Sequence, residues 1–399
     1  MCLSGIIFFT GRQKKPSKTG TAMLVFQLIT SIDLGGAENV AFSLCALNKQ
    51  ERPGYKLVLF EIQKTSSAYA RDKKEKLREA GIEYYSLGVH NKYLSLVIAP
   101  IVLFYHIIRK KPSIVHSHTD LPDFVLAVAL KLFFRHKFKI VRTIHNTELW
   151  PTHATLGRIA ESSFKDDTVI AVSESALAAY VKLRTRYNLK PSIHQQVIFN
   201  GVKAPEKQEH PFRIDRNKIN IAFAGRLELQ KGVDIFIELV NKLSSRQSEA
   251  IAFHIIGDGM YKQAVTTLCS KYSCCRYYGV VSDLANKLVD FDYLMMPSRF
   301  EGLGLLSVEA SMSGVPVIAS KSPGLSETLP DEWPLWVDPL TAEGFLNILD
   351  NILDGKYDCK QLREQAYNYT REKFSSENME KNYRDAYRDL FVNYQMRKI

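Results

Sequence analysis

The sequence predicts an α/β fold of two domains, each built on a parallel sheet. The chain has 399 residues, 46% of them apolar, which is enough for two hydrophobic cores. Short apolar runs alternate with helical patterns along the chain, as in strands joined by crossover helices. Residues 200–217 are polar, contain two prolines and lack periodicity, so they are expected to join the domains.

The first domain is predicted over residues 23–200, preceded by a disordered extension at 1–22. Its expected strands are the apolar runs 24–30, 55–62, 82–86, 114–117, 139–144, 168–171 and 196–199. Gly35 and Gly36 follow the first strand, and a helix is expected to start near Ala37. Because glycine lacks a Cβ, a diphosphate or sugar can approach this turn closely, with the helix dipole pointing at it.

The second domain is predicted over residues 219–375, after a linker at 201–218. Its expected strands are 219–224, 252–256, 276–278, 293–296 and 315–319. The remaining residues, 376–399, have the composition of a helix.

The N-terminus and the cysteines predict a cytoplasmic protein. The apolar run 1–9 is too short for a signal peptide, and the basic stretch 12–18 follows it instead of preceding it. None of the six cysteines forms a Cys-x-x-Cys spacing, which favours reduced thiols over a disulfide or zinc framework.

Two carboxylates flank a glycine-punctuated loop in the second domain. Glu301 lies in the loop, and Glu309 lies about one turn into an apolar helix expected to start near Leu305. The free N–H groups of that helix, beside Gly302, Leu303 and Gly304, can bind a phosphate. A phosphate site flanked by two carboxylates, each of which can bind hydroxyl groups, is what a sugar nucleotide requires. Two Glu residues at this spacing also occur on solvated helices.

Two cations follow the first strand of the second domain. Arg226 and Lys231 lie between the apolar run 219–224 and the helical pattern from residue 233. Cations at the carboxyl end of a strand, beside a helix N-terminus, form an anion site in an open α/β sheet. An isolated pair of this kind is usually a pair of solvated surface charges, and its place beside the Glu pair favours the anion site.

No metal site is expected. His116 and His118 end one strand and His145 ends another, but no third ligand lies at a usual zinc spacing. Asp290 and Asp292 form an Asp-x-Asp motif, yet nothing nearby completes an octahedral oxygen site.

The ordered set of motifs resembles the retaining GT-B glycosyltransferases of family 4, from about residue 23 to the C-terminus. The motifs of the first half are I-T-S-I-D-L-G-G-A-E-N (29–39), I-V-H-S-H (114–118), T-I-H-N (143–146), A-V-S-E-S (171–175) and F-N-G-V (199–202). Those of the second half are A-G-R-L-E-L-Q-K-G (224–232), I-I-G-D-G (255–259), P-S-R-F-E-G-L-G-L-L-S-V-E-A (297–310) and S-G-V-P-V-I-A-S (313–320). The resemblance implies two Rossmann-like domains whose parallel sheets face a central cleft.

The resemblance also implies roles for the candidate residues. Arg226 and Lys231 would hold the diphosphate of a nucleotide-sugar donor, with help from backbone N–H groups at 302–305. Glu301 would bind the donor sugar, Glu309 the ribose, and His145 would lie against the sugar. UDP is the expected nucleotide of the donor, with GDP as the alternative, and no cofactor or metal is required.

Further implications concern neighbouring segments. The last helix would cross back to the first domain, and His118 would lie near the acceptor. The segment 322–327 is less glycine-rich than the usual sugar-phosphate loop, which leaves Glu327 doubtful as a donor contact.

Positive charge is concentrated in the first domain, where the family binds its acceptor. Residues 23–200 carry 24 Lys/Arg against 15 Asp/Glu, whereas residues 201–399 carry 25 against 27. Residues 130–139 interleave aromatics with cations, which suits an anionic bilayer at the inner face of the cytoplasmic membrane, or a helix end whose cations snorkel. The apolar run 94–108 is shorter than the roughly 20 residues that span a bilayer, so a packed or surface-lying helix is expected.

The predicted function is transfer of a sugar to a glycan or lipid-linked acceptor in envelope polysaccharide synthesis. The alternatives are a non-hydrolysing sugar-nucleotide epimerase, which shares the architecture, and a catalytically silent scaffold. Nucleic-acid binding is not expected, because the positive excess lies away from the anion-site motifs and no recognition motif is present.

Overall fold

A computed structural model describes residues 23–33, 35–47, 55–132, 138–151, 153–206 and 212–396. The predicted extension at 1–22 lies outside the described residues. So do residues 133–137, within the aromatic and basic segment, and residues 207–211, within the predicted linker.

The first sheet has seven parallel strands in the order β3-β2-β1-β4-β5-β6-β7. The strands are β1 Met23–Ile29, β2 Tyr55–Glu61, β3 Glu83–Ser86, β4 Ile114–His118, β5 Lys139–Ile144, β6 Thr168–Ala171 and β7 His194–Val197. The connecting helices are α1 Gly36–Leu47, α2 Ala68–Glu79, α3 Lys92–Lys110, α4 Asp120–Leu132, α5 Ala154–Glu161 and α6 Glu174–Arg186. The central strands are buried because helices cover both faces of the sheet, and β4 is buried throughout although it ends in His116, Ser117 and His118.

The second sheet has six parallel strands in the order β10-β9-β8-β11-β12-β13. They are β8 Ile219–Ala224, β9 Ile251–Ile256, β10 Cys275–Gly279, β11 Tyr293–Met296, β12 Val317–Ser320 and β13 Trp336–Val337. The helices are α7 Val233–Asn241, α8 Ser245–Ala250, α9 Lys262–Lys271, α10 Leu305–Met312, α11 Ala342–Leu353, α12 Cys359–Lys373 and α13 Ser376–Met396.

The chain joins the two sheets in two places. After β7 it runs into the second domain, where Phe212 is buried in the core around β8. After α12 it returns, and Val202 forms a parallel β-bridge with Ser375 at the crossing. Helix α13 then packs on the first sheet, with Tyr383 and Tyr387 buried against β1 and β4. The last helix of the chain is therefore part of the first core.

The predicted α/β fold with two parallel sheets is confirmed. Two strand predictions need correction. The strand predicted at 196–199 is β7, His194–Val197, whose polar first residues are tolerated because β7 is an edge strand. The two-residue β13 was not predicted, because it is too short to give an alternating pattern.

Candidate functional site

The glycine loop before α10 reaches across to the first domain. Ser173 Oγ donates a hydrogen bond to the Gly302 carbonyl at 2.5 Å, and Thr147 Oγ1 donates to the Glu301 carbonyl at 3.2 Å. A Cβ on Gly302 would lie 1.9 Å from the carbonyl oxygen of His145, so only glycine fits here. The loop and the end of β5 therefore form one continuous lining of the cleft.

The paired glycines of the first domain lie opposite the same loop. Helix α1 begins at Gly36, and a Cβ on Gly36 would lie 3.5 Å from Leu305 Cδ1. A Cβ on Gly35 would collide with the carboxylate of Glu38. The structure thus brings the N-termini of α1 and α10 together across the cleft.

Helix α10 presents unpaired donors at its start. Gly304 is its N-cap and adopts a left-handed backbone with φ of 78°. Ser307 N–H returns to the Gly304 carbonyl at 2.8 Å, whereas the N–H groups of Leu303, Gly304, Leu305 and Leu306 donate to no described residue. Free N–H groups at a helix N-terminus attract an anion.

Glu301 is buried and is held by a cation from the neighbouring loop. Lys231 Nζ contacts both of its carboxylate oxygens, at 2.7 and 2.8 Å, and Ser298 Oγ donates to Oε1 at 2.7 Å. An ionised carboxylate offers about four acceptor positions, and these contacts use three of them. One acceptor position on Oε2 remains for a ligand hydroxyl.

Arg226 lies at the outer edge of the same loop. Its side chain is 63% exposed and its guanidinium donates to Glu228 and Gln230 at 3.1 and 3.0 Å. Gln230 also donates to the Phe300 carbonyl at 3.1 Å, which links this edge to the loop that carries Glu301. The guanidinium is thus held near the cleft with much of its surface open to a ligand.

Glu309 lies on α10, one turn after its start. It is half-buried, and its carboxylate has no hydrogen-bond partner among the described residues. Burial raises the pKa of Glu309 to about 7. A partly desolvated, unpartnered carboxylate is ready to accept hydrogen bonds from a ligand.

His145 directly follows β5 and belongs to a buried polar network that links the cleft to α13. Its Nε2 lies 2.9 Å from His118 Nδ1, and His118 Nε2 lies 2.6 Å from Gln27 Oε1. Gln27 Nε2 donates to Tyr387 Oη at 2.8 Å.

The network continues from Tyr387 along β4 and β5. Tyr387 Oη lies 2.6 Å from His116 Nδ1, and His116 Nε2 lies 2.6 Å from Thr143 Oγ1. Thr143 in turn contacts Tyr383 Oη at 3.2 Å. We name these seven residues the histidine–tyrosine network: Gln27, His116, His118, Thr143, His145, Tyr383 and Tyr387.

That His118 lies near the acceptor stays a prediction, but its burial excludes direct contact. Its side chain is fully buried between His145 and Gln27, so it has no surface for a substrate. Burial lowers the pKa of His118 and of His116 well below the usual histidine range, and that of His145 to about 3. All three imidazoles are therefore neutral near pH 7.

Glu327 forms hydrogen bonds across the interface between the two domains. Its two carboxylate oxygens accept hydrogen bonds from the backbone N–H groups of Glu174 and Ser175, at 2.7 and 2.9 Å. Gly324 N–H donates to Ser175 Oγ at 3.0 Å. The second domain thus caps the N-terminus of α6 in the first domain.

Two other acidic residues of the sequence motifs have structural partners. Asp258, in the motif at 255–259, accepts from Gly259 N–H and from Lys262. Asp292 accepts from Asn220 N–H at 2.8 Å. Within the described part of the chain, no group of three or more His, Cys, Asp or Glu side chains has the arrangement of a metal site.

Sequence reasoning missed Gln27, Ser173 and Tyr387. Gln27 gave a signal, because it is a polar residue in the centre of the apolar run 24–30. Tyr383 and Tyr387 are four residues apart and so lie on one face of α13. Neither pattern shows which partner the polar group will find.

Two parallel-sheet domains that face each other across a cleft have the architecture of the GT-B fold. The chain belongs to the group 1 glycosyltransferases: the family model described as "Glycosyl transferases group 1" matches residues 205–372. The model described as "Glycosyltransferase Family 4" matches residues 34–204. The expected family is thereby confirmed.

Two relatives come from regions or pathways of envelope polysaccharide. An uncharacterized protein in the cps region of Klebsiella pneumoniae is 30% identical over 233 residues, covering 55% of this chain and 63% of the relative. The O-antigen biosynthesis glycosyltransferase WclY of Escherichia coli is 25% identical over 301 residues, covering 71% and 80%.

Among solved structures, Anabaena HepE in complex with UDP-glucose is similar, with a TM-score of 0.75 at 16% identity. The match covers 92% of this chain and 100% of HepE. At this identity the likeness shows the shared fold.

Proposed function

We propose that the protein is a retaining glycosyltransferase that moves a sugar from a UDP-sugar to a glycan or lipid-linked acceptor in envelope polysaccharide synthesis. One observation carries this proposal. The free N–H groups of α10, Glu301 and the unpartnered Glu309 lie along a single loop and helix, and Lys231 of the neighbouring loop pairs with Glu301. Together they match a diphosphate with a hydroxyl-bearing ring on each side.

The diphosphate occupies the start of α10 in this proposal. Arg226 and Lys231 supply positive charge, and the N–H groups at 303–306 supply donors. As the bond between the anomeric carbon and the diphosphate oxygen breaks, that oxygen takes the electron pair. Fixed donors aimed at this growing negative charge make the largest electrostatic contribution to the rate.

The two rings are held by the two carboxylates. Glu301 accepts one hydroxyl of the sugar through the open position on Oε2, and Glu309 accepts the hydroxyls of the ribose. The acceptor oxygen approaches the anomeric carbon on the face that the diphosphate leaves. Its proton passes to the departing phosphate oxygen as the new bond to the anomeric carbon forms. The configuration at that carbon is retained because this bond forms on the face of departure.

We propose that this chemistry requires no metal. Two cations and a helix N-terminus already face the diphosphate position, and they can neutralise the charge that develops there. The expectation is that transfer in EDTA equals transfer in Mg²⁺ or Mn²⁺.

The pathway and the base are supported by the relatives. WclY is named for O-antigen biosynthesis, the Klebsiella pneumoniae protein for its capsule region, and HepE was solved with UDP-glucose. These names favour UDP over GDP and an envelope glycan as acceptor.

We also propose peripheral contact with an anionic membrane at its cytoplasmic face. Helix α3 is the one helix, within the described ranges, with the length and hydropathy of a membrane span, at a mean hydropathy of 1.4. The inner face of this helix, which carries Ser95, Ala99 and Leu103, is buried against the core of the first domain. The helix therefore lies along the domain surface.

The outer face of α3 is an apolar stripe with cations near its ends. Exposed apolar side chains recur every three or four residues at Tyr93, Val97, Ile101, Tyr105 and Ile108. Lys92 and Arg109 are exposed at the two ends. An apolar face flanked by cations suits insertion at the surface of an anionic bilayer.

Sedimentation with vesicles of phosphatidylglycerol and phosphatidylcholine tests this surface. The double variant Val97→Asp/Ile101→Asp is expected to lose at least tenfold in vesicle affinity, since two apolar contacts are replaced by charges. Ile193→Asp is the matched control, because Ile193 is 88% exposed on the same domain. Equal binding of both variants would place the membrane contact elsewhere.

The experiment for transfer is a thermal-shift screen against UDP, GDP, ADP and their sugar conjugates, with and without EDTA. A nucleotide at a hundredfold excess over Kd adds about 2.7 kcal/mol to the free energy of unfolding, a shift of several degrees. A metal-independent shift with one base, lost in Glu309→Ala, supports the donor site. Product analysis then separates transfer from epimerisation, and no shift with any nucleotide would favour the silent scaffold.

A further inference from the structure

The donor and acceptor roles of Gln27 and His118 determine which nitrogen of His145 carries its proton. Gln27 donates to Tyr387 Oη through Nε2, so its Oε1 faces His118 Nε2. An amide oxygen only accepts, and His118 Nε2 must therefore carry a proton. A neutral imidazole has one N–H, which makes His118 Nδ1 an acceptor.

The same reasoning extends one residue further. His145 Nε2 lies 2.9 Å from His118 Nδ1, so His145 Nε2 donates. Its Nδ1 then holds a free lone pair. Among the described residues this Nδ1 has no hydrogen-bond partner, and it is not fully buried, so it is open to a ligand. His145 thus offers the cleft an acceptor, suited to a sugar hydroxyl.

The orientation of the Gln27 amide depends on Tyr387. The hydroxyl of Tyr387 accepts from Gln27 Nε2 and can give its own proton to His116 Nδ1 at 2.6 Å. His116 then donates from Nε2 to Thr143. The protons of His118 and His145 are set from the Gln27 end of the network, because an amide oxygen accepts only, whereas the hydroxyls of Tyr387 and Thr143 can each donate or accept.

We propose that Gln27 and Tyr387 are positioning residues, which fix His145 as the Nε2–H tautomer so that Nδ1 accepts a hydroxyl of the donor sugar. The contact with the sugar rests on the proposed function, whereas the tautomer assignment rests on the hydrogen bonds alone. Tyr387 lies on α13, at the end of the chain, and Gln27 lies on β1, at the start of the first domain. Helix α13 thereby acts on the cleft through two intervening side chains, Gln27 and His118.

Helix α13 offers a matched pair of variants. Tyr383 and Tyr387 are one turn apart and each is 1% exposed. Only Tyr387 touches Gln27, whereas Tyr383 Oη contacts Thr143, beyond His116. Tyr387→Phe removes the hydroxyl that orients Gln27, and Tyr383→Phe removes a hydroxyl of equal burial that does not.

Nitrogen-15 NMR of the imidazoles in the nucleotide-free full chain reads the tautomer directly. The His145 signals are assigned as those lost in His145→Asn. Wild type and Tyr383→Phe are expected to show the Nε2–H form alone. Tyr387→Phe is expected to show a mixture, because the amide of Gln27 is free to reverse. An Nδ1–H form in the wild type would overturn the proposal.

Kinetics with a UDP-sugar donor give the second readout. In Tyr387→Phe, kcat is expected to fall about tenfold, the scale of one lost hydrogen bond to the sugar, with Kd for UDP unchanged. Tyr383→Phe is expected to stay within about twofold of wild type in both.

The outcomes separate the two proposals. Equal losses of kcat and of melting temperature in both Phe variants would show a packing role only, against the positioning proposal. A wild type that transfers no sugar but holds the Nε2–H tautomer would overturn the proposed function and leave the tautomer assignment standing.

Discussion

The two walls of the cleft are built from opposite kinds of polar group. At β4 and β5 the first-domain wall is neutral: its three histidines are uncharged, mostly buried and hydrogen-bonded to one another or to Gln27, Thr143 and Tyr387. The second-domain wall is ionic: Lys231 pairs with Glu301, Arg226 is largely exposed, and Glu309 has no partner.

The difference shows how the work of a transfer site can be divided. The ionic wall stabilises the negative charge that develops on the diphosphate, because its cations and helix donors are close to that charge. The neutral wall orients the substrate, since each of its fixed donors and acceptors has one orientation. Changes on the ionic wall are therefore expected to have larger effects on turnover than changes on the neutral wall.

The largest expected effect is on the ionic wall at Lys231. Turnover is expected to fall about a hundredfold in Lys231→Ala and at least tenfold in Arg226→Ala. Each substitution removes a positive charge that stabilises the leaving diphosphate. Steady-state transfer with a UDP-sugar measures both. Circular dichroism confirms folding, which matters for Lys231→Ala because Glu301 stays buried beside the lost cation.

Lys242→Ala is the control for these variants. Lys242 pairs with Glu238 and Glu343 on the outer surface of the same domain. Its loss should leave turnover unchanged. Near-normal turnover in both Arg226→Ala and Lys231→Ala would contradict the ionic role of this wall.

A smaller effect is expected in the pH dependence of nucleotide binding. The pKa of Glu309 is raised by burial from 4.5 to about 7, and two ribose hydroxyls bind the ionised form more strongly, because only that form accepts freely on both oxygens. Binding below pH 7 should release a proton, so affinity rises about tenfold from pH 6 to 8. Calorimetry in buffers of different ionisation enthalpy measures this release.

Glu309→Gln separates this carboxyl from the titration of the nucleotide itself. The proton release assigned to Glu309 should vanish in the variant, while that of UDP remains. The same raised pKa makes the nucleotide-free protein lose stability as pH rises from about 4.5 to about 7, because the unfolded chain ionises first. Identical proton release in wild type and variant would argue against contact between Glu309 and the ribose.

The smallest effect is expected where the two walls are joined. Glu327→Ala removes the cap of α6 supplied by the second domain, and the free energy of unfolding should fall by about 1 kcal/mol. UDP affinity should change little, since both carboxylate oxygens are occupied by backbone N–H groups. Thermal unfolding and UDP titration check this pair of expectations, and a large loss of UDP affinity would make Glu327 a donor contact after all.

The fold was predictable because its signals are local. The apolar runs of β1, β2 and β8 and the glycine positions before α1 and α10 are visible in short windows of sequence. The ionic wall was accessible for the same reason: Glu301 and Glu309 lie in one segment, and Lys231 lies in another with its own motif.

The neutral wall was not predictable, because its contacts join distant parts of the chain. The bond between Gln27 and Tyr387 spans 360 positions, and that between His116 and Tyr387 spans 271. No window of sequence contains both partners. The hydrogen bonds of His118 to His145 and Gln27 could not be predicted for the same reason.

The return of α13 to the first sheet has a consequence for synthesis. A chain leaves the ribosome from its N-terminus, and domains usually fold in that order. Here the first domain cannot complete its core until Tyr383 and Tyr387 have emerged, after the whole second domain. A nascent or prematurely terminated chain therefore lacks the hydroxyl that orders the histidines, and the finished polypeptide is the first one with a complete cleft.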